Sequence, residues 1–219
     1  MTVVAIDGPA GAGKSTVARA VALRLGFQYL DTGAMYRAVA LAALEEGVDP
    51  TDEEALTALA ESVEIGIEGD VVRLNGRDVS EIIRGEAVTR AVSRVAATPG
   101  VRRALAKLQR ARTEAADLVM EGRDIGSVVV PGAEVKIFLR ASLKERALRR
   151  ARQRGLPTDE KSLERVAEEL ATRDRADSER DASPLIQAPD AVVVDTDGKD
   201  VARVVEEIAR VTTRVLDER

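Results

Sequence analysis

The 219-residue chain contains no cysteine and no histidine. Lack of cysteine excludes disulfides, thiol nucleophiles and four-cysteine zinc sites, and fits a reducing compartment. Lack of histidine removes the usual imidazole base, the Ser-His-Asp relay and histidine metal clusters. Catalysis must then come from carboxylates, cations, backbone amides or a bound metal. The four aromatic residues, Phe27, Tyr29, Tyr36 and Phe138, are too few for a platform that stacks single-stranded nucleic acid. No apolar run approaches the ~18 residues of a membrane helix, and the N-terminus is apolar only briefly before Asp7. Neither export nor membrane spanning is expected, and the chain reads as cytosolic. With 33 Lys and Arg against 38 Asp and Glu, the net charge of −5 argues against a general nucleic-acid binder, which needs cations facing backbone phosphates.

What is present begins with 45% hydrophobic residues, enough for one packed core, with or without insertions. Gly8-Pro9-Ala10-Gly11-Ala12-Gly13-Lys14-Ser15 fills every fixed position of the phosphate-loop pattern G-x-x-x-x-G-K-[ST]. Before it, Thr2 to Asp7 reads as a buried strand; after it, Val17, Val21, Ala22 and Leu25 have helical spacing. Glycine at 8, 11 and 13 lets the backbone turn tightly and aim N–H groups, with Ala12 between them, at phosphate oxygens. The helix N-terminus, whose first turn includes Thr16, adds its positive end at the same place. Lys14 can reach the outer phosphates of a nucleoside triphosphate, and the Ser15 hydroxyl can ligate the Mg²⁺ that accompanies it.

Further strands are expected at Phe27–Leu30, Asp117–Gly122, Val135–Leu139 and Ala191–Asp195, and helices near Ala34–Leu44, Ser142–Arg154, Thr158–Arg180 and Val201–Leu216. A helix start is read at Thr51-Asp52-Glu53-Glu54. Val63–Ile67 and Val71–Leu74, with turns at Glu68-Gly69-Asp70 and Asn75-Gly76, suggest an inserted antiparallel meander, followed by helices divided at Thr98-Pro99-Gly100. Strands alternating with helices predict an α/β fold of the P-loop NTPase type. Its doubly wound, parallel, five-stranded sheet would bind ligands at the carboxyl ends of the strands.

Four constellations admit two readings each. Lys144, Arg146, Arg149, Arg150, Arg152 and Arg154, opposed only by Glu145, are either a solvated helix face or a mobile lid that brings guanidinium groups to a transferring phosphoryl. Arg173, Asp177 and Arg180, at i, i+4 and i+7, are either an ion-pair ladder or a fork for phosphate with a carboxylate for sugar hydroxyls. Glu121-Gly122-Arg123-Asp124 ends a buried strand and is either a plain turn or a place where Arg123 holds an acceptor phosphate and Asp124 accepts from an exocyclic amine. Thr32, Tyr36 and Arg37 either cap a helix or face the same cleft. Guanine-reading N-K-x-D is impossible, since Asn75 is the sole asparagine.

These residues resemble bacterial cytidylate kinases, in order and over essentially the whole chain. The resemblance rests on Gly8 to Thr16, Leu30-Asp31-Thr32-Gly33-Ala34-Met35-Tyr36-Arg37, Ser93-Arg94-Val95-Ala96 with Val101-Arg102, Glu121 to Gly126, Val135 to Leu139, and Arg173 to Arg180. It implies ATP-dependent, Mg²⁺-assisted phosphoryl transfer to CMP or dCMP by a monomer that needs neither nucleic-acid polymer nor membrane. Another monophosphate or small metabolite is the alternative acceptor. Arg37, Arg123 and Arg180 are expected to hold the acceptor phosphate; Ser93, Arg102 and Asp124 to read cytosine; Arg173 and Asp177 to meet the sugar. Lys14, Arg123, Arg180 and Arg149 are expected to act in catalysis. The implied organisation is core at 1–38, 117–148 and 166–219, a monophosphate-binding insertion at 39–116 and a lid at 149–165 that closes over bound nucleotides. Glu121 stands where many relatives have Asp.

Overall fold

The computed structural model describes residues 1–218 and divides into two compact units. One unit joins Thr2–Tyr29 to the chain from Asp117 onward; the other is Leu30–Ala116 together with Met1. Along the chain the elements run β1 (Val3–Asp7), α1 (Lys14–Leu25), β2 (Gln28–Asp31), α2 (Thr32–Glu46), α3 (Glu53–Ser62), β3 (Ile65–Glu68), β4 (Val71–Leu74) and β5 (Arg77–Asp78). They continue as α4 (Glu86–Val95), α5 (Pro99–Thr113), β6 (Leu118–Glu121), β7 (Val135–Arg140), α6 (Leu143–Gln153), α7 (Glu160–Glu179), β8 (Val192–Asp195) and α8 (Val201–Asp217). A 3₁₀ turn lies at Ile82–Arg84 and a single π-helical turn at Ile125–Val129.

The expected five-stranded sheet has the order β2-β6-β1-β7-β8. Strand β1 is parallel to both neighbours, Val4 facing Val119 on one side and Val135 on the other, and β7 runs parallel to β8. All five β1 residues are buried, as a strand covered by helices on both faces requires. Val4, Ile6, Val119 and Ile137 share a core with Val21 of α1 and Ile208 of α8. Each such aliphatic side chain contributes about 1.5–3 kcal/mol relative to an exposed one. The strand order reverses at β1, so the loop after it opens at the crevice where doubly wound folds bind ligands. Among the described residues no helix is long and apolar enough to cross a membrane.

In the second unit, α2 is apolar on nearly every side and accordingly buried from Thr32 through Ala43, with only Gly33 and Arg37 part-exposed. Asp31 caps it by accepting the Ala34 N–H at 3.0 Å. The start read over Thr51–Glu54 resolves to Asp52, whose carboxylate takes the Ala55 N–H at 2.9 Å, because the Thr51 hydroxyl is engaged with Asp49. The meander is antiparallel and gains a third strand, β5. Asn75 (φ 49°) and Gly76 (φ 78°) form the two-residue turn between β4 and β5, the left-handed pair that a tight hairpin needs.

Candidate functional site

The loop at Gly8–Ser15 is fixed from below by Asp7. Its carboxylate, 5% exposed at the end of β1, accepts the Ile125 and Gly126 N–H groups of the π turn at 2.9 and 2.8 Å. Burial raises its pKa to about 6, although those two hydrogen bonds pull the other way. Gly8 has φ 149°, and a Cβ there would strike the Leu139 carbonyl of β7, so only glycine lets the loop leave β1 at this angle. Gly13, at φ 90°, opens α1 without a side-chain cap, and the first turn carries no acid. The amide groups there are left for an anion. Lys14 is buried at 6% exposure, its Nζ donating to the Pro9 carbonyl at 2.8 Å. Burial, then the charge of Arg123, lowers its pKa to about 7. Ser15 and Thr16 are exposed.

At the end of β6 the structure draws four charged residues into one network. Arg123 Nε donates to Asp177 Oδ2 at 2.9 Å, while Arg180 lies 3.7 Å from Asp177 and 3.7 Å from Asp124. Buried Glu121 accepts from the Tyr29 hydroxyl at 2.8 Å. The helical ladder is corrected at one end: α7 stops at Glu179, and Arg180 is extended (φ −67°, ψ 140°) with its Nε on the Ser183 carbonyl. Asp177 is therefore gripped by Arg123 from another element as well as by Arg180. Arg173 is half-buried and close enough to Lys14 for its charge to help lower the ammonium pKa.

The basic helix α6 is not opposed by Glu145 alone. Arg146 is buried and pairs with Asp174, and Arg154 pairs with Glu169 at 2.6 Å, both partners coming from α7. Arg149 bonds Glu145 at 2.9 Å and the Thr196 hydroxyl and carbonyl at 2.9 and 2.7 Å. Its Nη1 lies 3.7 Å from where a Cβ on Gly13 would be, which sets this guanidinium against the loop.

In the second unit, Thr32 is buried at the start of α2, and Arg37 Nη2 donates to Asp31 at 2.7 Å while its buried Nε makes no hydrogen bond. Arg102 is buried, with its guanidinium 5.2 Å from the Tyr36 ring centre and Nη1 on the Ala96 carbonyl at 3.0 Å. Ser93 is half-buried on α4. Sequence reasoning missed Asp7 and Asp174 as parts of the loop's surroundings. The available signal for Asp7 was an acid ending an apolar strand; Asp174 looks like any helix-surface acid until α7 is placed.

A family model described as cytidylate kinase matches residues 4–214. A cytidylate kinase of Geobacillus kaustophilus (strain HTA426) is 54% identical over 215 residues, covering 95% of this chain and 95% of its own length. One of Symbiobacterium thermophilum is 49% identical over 213 residues, covering 95% and 94%. In fold alone, the crystal structure of an uncharacterized protein from Eubacterium ventriosum is similar, with a TM-score of 0.50 at 10% identity over 100% of this chain and 99% of the other. The sheet order, the phosphate-type loop and these matches along the whole chain lead to one conclusion: the chain belongs to the cytidylate kinase family of nucleoside monophosphate kinases.

Proposed function

We propose that the chain transfers the γ-phosphoryl group of ATP to CMP or dCMP. The observation that carries this reading is the gathering of cations at the loop. Burial, and then the guanidinium groups of Arg123 and Arg173, outweigh the opposing carboxylates of Glu121 and Asp7 at the Lys14 ammonium, so a polyanion arriving there relieves the net repulsion. The uncapped start of α1 supplies amide donors for the triphosphate. The donor set fits Mg²⁺, which would be held by the Ser15 hydroxyl together with substrate phosphates and would neutralise charge on them when bound.

No strong base is needed, because an acceptor phosphate is already ionised near neutral pH. On this reading Lys14 and Arg149 stabilise charge on the transferring group, and Arg37, Arg123 and Arg180 hold the acceptor phosphate. Ser93, Arg102 and Asp124 read the base, Arg173 and Asp177 the sugar, and Thr32 and Tyr36 complete the acceptor contacts. The catalytic work is alignment and electrostatics rather than covalent chemistry. An ADP-release assay with ATP, Mg²⁺ and a panel of monophosphates tests the assignment. CMP and dCMP should be turned over well ahead of AMP and GMP; strong turnover of AMP or GMP without CMP would overturn it.

A further inference from the structure

Resting on the reading that the loop holds ATP, we propose that Asp174 and Arg146 are positioning residues that set the loop's shape by gripping both main-chain polar groups of Ala10. Asp174 Oδ1 accepts the Ala10 N–H at 3.1 Å, and Arg146 Nη1 donates to the Ala10 carbonyl at 3.1 Å. The same Nη1 pairs with Asp174 Oδ2, and Arg146 Nε is anchored on the Ala141 carbonyl at 3.2 Å. Ala10 is 5% exposed and its methyl joins Ala147, Ala151, Val166 and Leu170 in a small apolar cluster, so α6 and α7 are packed onto the loop as well as bonded to it. A Cβ on Gly11 would come within 3.2 Å of the Arg146 Cβ, which measures how closely α6 lies.

Two consequences follow from peptide chemistry. A buried N–H and C=O outside regular secondary structure must find partners, and here one charged pair supplies both. The Ala10 N–H is therefore committed to Asp174 and the Ala12 N–H turns back to the Pro9 carbonyl at 3.4 Å, leaving the other amides of the loop for phosphate. The Ala10 carbonyl belongs to the same peptide group as the Gly11 N–H. A guanidinium on that oxygen polarises the group and makes the Gly11 amide a stronger donor. Arg146 thus acts through the backbone, unlike an arginine that touches the phosphates.

The test compares Asp174→Ala, Asp174→Asn and Arg146→Met with wild type by kcat, by KM for ATP and for CMP, and by calorimetry with ATP, with thermal melting as the check on folding. Asp174→Ala and Arg146→Met should weaken ATP about tenfold to a hundredfold, as sub-ångström misplacement of aligned donors does, while KM for CMP moves less than about threefold. Asp174→Asn keeps an oxygen for the Ala10 N–H and should recover part of the loss. It also carries the test if the alanine variant does not fold. The double variant should bind ATP no worse than the weaker single variant, since both changes disable one clamp. Unchanged ATP binding in Asp174→Ala, or equal losses for ATP and CMP, would overturn the proposal. If wild type itself shows no heat with ATP, the reading of the loop fails and the clamp with it.

Discussion

Replacing Asp7 by asparagine should alter stability by an amount that depends on pH. Asp7 is 5% exposed and, chiefly through burial, titrates at about 6 where the ordinary value is 3.8. Between those two values the native chain keeps a proton that the unfolded chain has released. Wild-type stability therefore falls as pH rises through the window, and the whole displacement is worth about 3 kcal/mol. Asparagine has no such proton. It can offer only one acceptor oxygen to the Ile125 and Gly126 N–H groups, and turning its own amide toward the other costs about 1–3 kcal/mol at every pH. The deficit of Asp7→Asn relative to wild type should thus be greatest in acid and shrink by about 2 kcal/mol between pH 4.5 and pH 7.5. Urea unfolding of both proteins at several pH values in this range measures it. A deficit constant across the range would show that this carboxylate does not titrate in the native state as its burial requires.

Other substitutions probe different parts of the molecule. Gly100→Ala would push a Cβ into Thr57 of α3, so it should cost about 1–3 kcal/mol, and adding Thr57→Ala should recover most of this in thermal melts. Gln109 is fully buried with neither amide atom hydrogen-bonded; Gln109→Leu should raise stability by about 1 kcal/mol or more, read as a higher Tm. Lys14→Met should lower kcat about 100- to 1000-fold, as loss of a pre-aligned charge stabiliser does, without lowering Tm, because the buried ammonium is already disfavoured in its charged form.

Much of the architecture was legible because it rests on local rules. Apolar runs ending at turn residues marked the five parallel strands, helical spacing marked α1 and α8, and Asn75-Gly76 marked a hairpin. The loop motif and the lack of histidine narrow the chemistry by themselves. Strand β5 escaped because Arg77-Asp78 carries no apolar period; α7 runs to Glu179 as its spacing predicts, but Arg180 leaves the helical face, which nothing in its spacing marks before Ser183 turns the chain at φ 55°. What tertiary structure alone decided is which charges meet. Arg123 finds Asp177 across 54 positions, Asp7 finds Gly126 across 119, and Arg146 finds Asp174 across 28. A solvated arginine and a buried one leave the same mark in a sequence, since only the arrival of a distant carboxylate makes burial of a guanidinium tolerable.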